Sequence, residues 1–240
     1  MITLNVIGTG SSGNAYILTV GSDSLLLEAG LPLKDIIRGN NYSLSNISDC
    51  IVTHKHKDHS KAIKDISNSG IYVWSNKETA NSTATRIRLV NYEKPITLSN
   101  KNFEIMCYLG EHDCEVTLYK ILHKNTNLTF AFITDTAIIP KGLNADFYFI
   151  ECNFDEDTLN ENSMNGNINV GVKNSRVVNT HLSLEYLLAY KPLQDTRTKA
   201  VVVLHQSKDN SSLKSYQSLT AVLNAKVYIA EKNKTIILEK

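Results

Sequence analysis

Three histidines and an aspartate fall within the run Thr53-His54-Lys55-His56-Lys57-Asp58-His59, directly after the apolar Cys50-Ile51-Val52. Imidazole and carboxylate hold first-row metals, and a catalytic zinc takes about three protein ligands and keeps one position open. In an extended segment alternate side chains share a face. The spacing therefore predicts His54, His56 and Asp58 on one side, with His59 following at the turn into a helix. Four donors in so short a run exceed what one open tetrahedral site takes, so we expect two metals. The plainer alternative is a solvated loop carrying Lys55 and Lys57, which leaves the histidine–aspartate spacing unexplained.

Two metals need about three further ligands. Polar side chains recur just after apolar, strand-like runs at 54–59, 112, 135, 153 and 205, so several strand ends converge on one edge of a packed pair of sheets. His112, His205 and Asp135 each follow such a strand. A consistent set places His54, His56 and His112 on one metal, Asp58, His59 and His205 on the other, and Asp135 between them. His123 falls in a hairpin arm and reads as a surface residue.

The elements that must deliver these residues follow from hydrophobic period and turn chemistry. Residues 2–7 read as a strand, followed by Gly8-Thr9-Gly10-Ser11-Ser12-Gly13-Asn14. That loop matches GxGxxG, but the dinucleotide fingerprint must open a helix. Here Ala15–Val20, a Gly21-Ser22-Asp23-Ser24 turn and Leu25–Leu27 form a hairpin instead. The loop either offers backbone N–H groups and Ser11, Ser12 or Asn14 to a phosphate, or is a tight turn only. Helices are expected over 33–38, 60–67, 76–86, 183–190 and 212–223, and strands at 49–53, 71–74, 87–91, 95–98, 102–109, 117–123, 128–134, 147–150, 200–204, 226–230 and 235–238. Residues 155–175, rich in asparagine and acidic side chains, read as a long loop around a short helix: a lid, an arm to a partner protomer, or plain surface.

The 240 residues suffice for a single large domain with a full core. An apolar fraction of 42% and a charged fraction of 20% are ordinary for a soluble globular chain. The net charge of +1 carries no electrostatic footprint for duplex nucleic acid. The four cysteines form no CxxC pair, which suggests reduced thiols in a cytoplasmic protein. No apolar run approaches the roughly 18 residues of a membrane helix, and the N-terminus reads as a strand and not a signal peptide.

The HxHxDH run at 54–59, followed by His112, Asp135 and His205, resembles the metallo-β-lactamase superfamily in its phosphodiesterase branch. Gly10-Ser11-Ser12-Gly13-Asn14, Glu28-Ala29-Gly30, Glu151-Cys152-Asn153 and His181-Leu182-Ser183 are similar to a subgroup of small single-domain members. That subgroup holds bacterial proteins proposed to be DNA exonucleases and phage anti-Pycsar enzymes that hydrolyse cyclic mononucleotides to disarm host immunity, and the likeness to the latter is the closer one. The resemblance implies an α/β (α+β) class, a four-layer αββα sandwich, two Zn2+ ions per chain (with Mn2+ or another divalent ion as the alternative) and a homodimer. It also implies that Asp58 orients the nucleophile, and that His181 faces the substrate phosphate, where it bonds an oxygen or protonates the leaving alkoxide. The plainer role for His181 is a helix-start residue bonded to backbone. Asn153 is placed with Ser11, Ser12, Asn14 and His181 at the substrate. Glu28 is a candidate partner for the far nitrogen of a ligand histidine, or a strand-end capping acid.

The expected function is a dinuclear zinc phosphodiesterase for 3′,5′-cyclic mononucleotides. Only 70 positions separate Asp135 from His205, too few for a large inserted domain. A nuclease acting on DNA or RNA ends is the enzymatic alternative, and a cyclic-nucleotide sponge the non-enzymatic one.

Overall fold

The computed structural model describes residues 1–83, 85–164, 176–207, 209–211 and 213–239. Its strands form two sheets of seven. The first runs β14 (Lys234–Leu238), β1 (Ile2–Gly8), β2 (Ala15–Val20), β3 (Asp23–Leu27), β4 (Ile47–Ile51), β5 (Tyr72–Ser75), β6 (Arg88–Leu89). The second runs β13 (Lys226–Ile229), β12 (Ala200–Leu204), β11 (Phe147–Glu151), β10 (Leu128–Ile133), β9 (Thr117–His123), β8 (Phe103–Leu109), β7 (Ile96–Thr97). The strands β14 to β3 and β7 to β10 are antiparallel, with the C-terminal β14 pairing onto β1, whereas crossover connections give the parallel strands β3 to β6 and β10 to β13.

The period of two decides the layers. Leu4, Val6, Leu18 and Leu27 of the first sheet face Phe130, Phe132, Phe147, Phe149 and Val202 of the second in one shared core. The intervening side chains point outward. Ile17, Leu26 and Val73 pack under Ile36, Ile63 and Ile66 of the helices Leu33–Gly39 and Ile63–Asn68. Ala131, Ile133 and Val203 pack under Leu187 and Leu219 of the helices Leu184–Ala189 and Leu213–Val222. Two sheets thus lie face to face with helices on both outer sides. Phe130 sits near the middle of the shared core, its ring 5.2 Å from Phe147 and 5.9 Å from Phe149. Phe130→Ala is expected to cost about 3–5 kcal/mol of stability, read from a shifted urea midpoint with an unchanged slope.

One expectation is corrected here. His123 is not a surface residue: it is buried, with Nδ1 2.8 Å from Thr126 Oγ1 and Nε2 3.0 Å from Asp23 Oδ2. The pair ties the β9 end to the start of β3 across the two sheets. The stretch 155–175 opens with a helix, Glu156–Met164, and its residues 165–175, with the lid or arm expected of them, lie outside the described residues. All four cysteines are free, and Cys50, Cys107 and Cys152 are buried. No helix among the described residues is long and apolar enough to cross a membrane.

Candidate metal centre

The chain leaves β4 at Ile51, and Lys57–Ser60 forms a helical turn entered from His56. Asp58 therefore stands in the first turn of a helix and not on a strand face with His54 and His56, as alternation predicted. Helical winding brings Asp58 and His59 around instead, with His59 N–H donating to His56 O at 2.9 Å. The loops after β1 and β3 hold this turn from behind. Asn14 N–H donates to Asp58 O at 2.7 Å, Ala29 N–H to His59 O at 2.8 Å and Gly30 N–H to Asn14 O at 2.8 Å. The other donors come from strand ends: His112 beyond β8, Asp135 beyond β10, and His205 directly after β12. Glu28, Asp135 and His205 hold left-handed backbone at φ 67, 53 and 49, which turns each side chain out of its strand.

Three imidazoles meet edge-on around one point. His54 Nε2 lies 3.0 Å from His56 Nδ1, and His112 Nε2 lies 3.4 Å from the same atom. The partner of each far nitrogen settles where the proton is. His112 Nδ1 faces the Thr180 carbonyl at 2.9 Å, which can only accept. His56 Nε2 faces the Asp113 carboxylate at 3.2 Å. His54 Nδ1 faces Thr53 Oγ1 at 2.9 Å, and that hydroxyl already donates to Glu28 Oε1 at 2.6 Å. All three far nitrogens carry the proton, so three lone pairs converge, with Asp135 Oδ2 at 3.7 Å from His54 Nε2 and 4.0 Å from His112 Nε2. Lone pairs repel unless a cation stands between them. A tetrahedral zinc with ligands at about 2.0–2.1 Å needs donor–donor edges of about 3.3 Å, close to those seen. Burial and the neighbouring His59 push His54 well below the usual histidine range, which favours the neutral, ligating form.

A second set lies on the other side of Asp135. Asp58, His59, Asp135 and His205 present donor atoms within 4.8 Å of one another. His59 Nε2 is 3.4 Å from Asp58 Oδ2 and 3.3 Å from Asp135 Oδ2, and His205 Nε2 is 3.5 Å from Asp58 Oδ2. His205 Nε2 is buried with no hydrogen-bond partner among the described residues, a cost that a coordinated cation removes. His59 Nδ1 likewise makes no aligned hydrogen bond, although Glu28 Oε1 lies 3.2 Å away. Burial opposes its charge, but Asp135 and Glu28 outweigh burial and lift His59 well above the usual range. Burial opposes the charge on Asp135 too, yet His205 and His59 hold it ionised well below the usual carboxylate range. A site that pulls a proton onto imidazole this strongly also suits a metal cation, which would displace that proton. The donors on both sides of Asp135 are of the kinds that hold a divalent cation. Cys114 Sγ, 3.9 Å from His56 Nε2, stands with His54, His56 and His112 in a set of donor atoms within 4.8 Å of one another.

No family model matches the sequence. The chain is 26% identical over 224 residues to exodeoxyribonuclease YycJ of Bacillus anthracis, covering 86% of this chain and 83% of the relative. It is 25% identical over 238 residues to exodeoxyribonuclease WalJ of Streptococcus pneumoniae, covering 91% and 86%. Among solved structures, the metallo-β-lactamase fold protein YhfI of Bacillus subtilis superposes with a TM-score of 0.70 at 16% identity, over 98% of both chains. The chain has the metallo-β-lactamase fold. In this metallo-β-lactamase fold the centre lies at one end of the seam between the sheets, in a cleft of about 800 Å³.

His181 faces that cleft. Its Nδ1 lies 2.9 Å from Glu151 Oε2, its ring stacks on His205 at 5.5 Å, and its Nε2 is left toward the cleft. Burial works against its charge, but Glu151 lifts it to about 9. Glu151, absent from the residues singled out for the site, is fully buried and also accepts Thr136 N–H at 2.7 Å. Its signal was a carboxylate closing the apolar strand Phe147-Tyr148-Phe149-Ile150. Glu28 is built the same way: buried, accepting Thr53 N–H at 3.2 Å and facing His59. Each sheet thus supplies one buried glutamate that steadies a threonine N–H and a histidine.

Of the residues expected at the substrate, Ser11, Ser12 and Asn153 line the cleft. Asn153 is half committed, its Nδ2 donating to His205 O at 3.0 Å. Asn14 is placed differently. It is buried, and its Oδ1 accepts Gly10 N–H and Tyr16 O–H, each at 2.9 Å. Its Nδ2 stands 3.1 Å from His59 Nε2. Asn14 therefore braces the ligand turn and stands apart from the residues that line the cleft.

Proposed function

We propose that the protein is a metal-dependent phosphodiesterase. The convergence of the His54, His56 and His112 lone pairs beside Asp135 carries this reading, because it has no use in a fold that binds no cation. His54, His56, His112 and Asp135 would hold one ion, and Asp58, His59, His205 and Asp135 the other; zinc suits the imidazole-rich set, and Mn2+ is the alternative. Divalent ions there supply Lewis acidity to a phosphoryl group and a nucleophile at neutral pH. The chain contributes the rest. Asp58, at the cleft wall, orients the attacking group by accepting its proton. His181 Nε2, protonated because the Glu151 carboxylate lifts the ring to about 9 and so keeps it an imidazolium at neutral pH, bonds a phosphate oxygen or hands its proton to the departing alkoxide.

Among substrates, the end of a DNA strand ranks first, because the curated relatives that align over most of both chains are called exodeoxyribonucleases. A 3′,5′-cyclic mononucleotide, with a role in evading host immunity, is the second reading. It is favoured by the short Asp135–His205 span, which leaves no room for a large inserted domain. Turnover of single-stranded DNA, RNA, cyclic mononucleotides and cyclic dinucleotides by the metal-loaded protein, with Asp58→Ala as control, separates the two. Hydrolysis of none of them would sink the proposal.

The proton held on His181 should be needed for turnover, so kcat is expected to fall as pH rises through its folded pKa. That limb lies no higher than about 9, since bound cations would lower the value. Glu151→Gln removes the charge that lifts it, and should move the limb toward lower pH while reducing kcat roughly 10²–10⁴-fold. An unmoved limb in a pH–kcat profile would assign the titration elsewhere.

A further inference from the structure

The metal cleft does not end at His181. A second hollow of about 280 Å³ has His181 as a wall together with Ala137, Phe154, Val178 and Tyr186. A third, of about 460 Å³, takes Tyr186 as its near wall and continues to Lys141, Tyr190 and Lys191 between Pro140 and Pro192. The hollows adjoin through shared walls, His181 between the first and second and Tyr186 between the second and third, and succeed one another along helix Leu184–Ala189. The Tyr186 and Tyr190 rings lie nearly parallel, 21° apart in plane and 6.2 Å between centroids. Tyr186 is anchored, since its hydroxyl accepts Ile139 N–H at 3.1 Å. Lys141 and Lys191 are exposed, and no carboxylate lines the third hollow among the described residues. The second hollow carries Glu156.

We infer that these adjoining hollows act as one groove that holds a single strand of DNA leading away from the phosphodiester at the metal centre. The inference rests on the phosphodiesterase reading of that centre. Bases stack on aromatic faces without regard to sequence, and lysines follow the phosphates. The groove offers both in the order a strand needs: the reacting phosphodiester at His181, bases along Tyr186 and Tyr190, and phosphates at Lys141 and Lys191. Leu184 to Tyr190 advances about 9 Å along the helix, the length of about three stacked nucleotides at ~3.4 Å each. Val178, 49% exposed on the same wall, is apolar surface that a stacked strand would cover. A cyclic mononucleotide, filled by one base and one phosphate at the centre, would leave both tyrosines and both lysines without a role.

The test compares a 12-nucleotide single-stranded DNA with bis(4-nitrophenyl) phosphate, a phosphodiester too small to reach the groove. Tyr190→Ala should lower kcat/KM on the oligonucleotide about tenfold, the scale of one lost stacking contact. The pair Lys141→Gln and Lys191→Gln should make the slope of log kcat/KM against log salt shallower by about 1.4, at ~0.7 per phosphate on a single strand. Both variants should hydrolyse the small ester like the parent. Variants that cut the oligonucleotide at the parental rate, or that lose both substrates together, would overturn the groove. A parent active on the small ester but not on the oligonucleotide would do the same while leaving the phosphodiesterase reading intact. A parent active on neither would defeat that reading, and fluorescence anisotropy of the same oligonucleotide would then judge the groove alone: binding weakened by the variants supports it, and equal or absent binding removes it.

Discussion

Gly30→Ala should abolish metal binding and, with it, turnover of every substrate. A Cβ at this position would stand 1.6 Å from Asp58 O, 2.3 Å from Asp58 C and 2.7 Å from Asn14 N. All three are backbone atoms, so no side-chain rotation relieves the clash. The Asp58 carbonyl is also the acceptor for Asn14 N–H, so the two loops cannot separate without losing that bond. Reaching ordinary contact requires the turn carrying Asp58 and His59 to retreat by well over an ångström, whereas a functional constellation tolerates about 0.5 Å. Overpacking of this kind also costs about 1–3 kcal/mol or more. Elemental analysis of the purified variant gives the metal content, and urea denaturation gives the stability. Two ions per chain with parental turnover would show that the loops part more easily than the geometry allows.

Glu28→Gln should keep the fold and weaken metal affinity about 10–100-fold, the usual loss when the partner of a ligand histidine is removed. Glu28 accepts Thr53 Oγ1–H at 2.6 Å and Thr53 N–H at 3.2 Å, and its carboxylate faces the His59 ring with Oε1 3.2 Å from Nδ1. An amide keeps one acceptor and turns an N–H group against a donor in a site closed to water. The loss reaches two ligands, His59 directly and His54 through the Thr53 hydroxyl. Competition with a chromophoric chelator measures the affinity. Parental affinity would reduce Glu28 to a strand-end cap.

Most of the strands and the strand-end position of the donors were legible because apolar runs of five to seven residues closed by a polar residue leave few other readings, as Ala200–Leu204 before His205 shows. The geometry inside the 54–59 run was not. Alternation put Asp58 on a strand face, but backbone bonds from His59 and Ser60 to His56 O close a helical turn, and no side-chain pattern in six residues distinguishes the two. The roles of Asn14 and Glu151 were hidden for a different reason. A polar residue beside a site looks the same in sequence whether it meets substrate or braces a ligand, and only burial and partners tell them apart. His123 misled in the opposite sense, since its partner Asp23 is distant in the chain.

Glu28, Asp135 and His205 share the left-handed backbone conformation, which glycine takes without strain. Each costs of the order of 1–3 kcal/mol, and each is held where a strand hands its residue to the centre. Thermal robustness and ion capture therefore pull on the same three positions in opposite directions. Selection of random variants for heat resistance alone should drift toward glycine or asparagine at 28, 135 and 205, yielding a sturdier sandwich that no longer holds its ions.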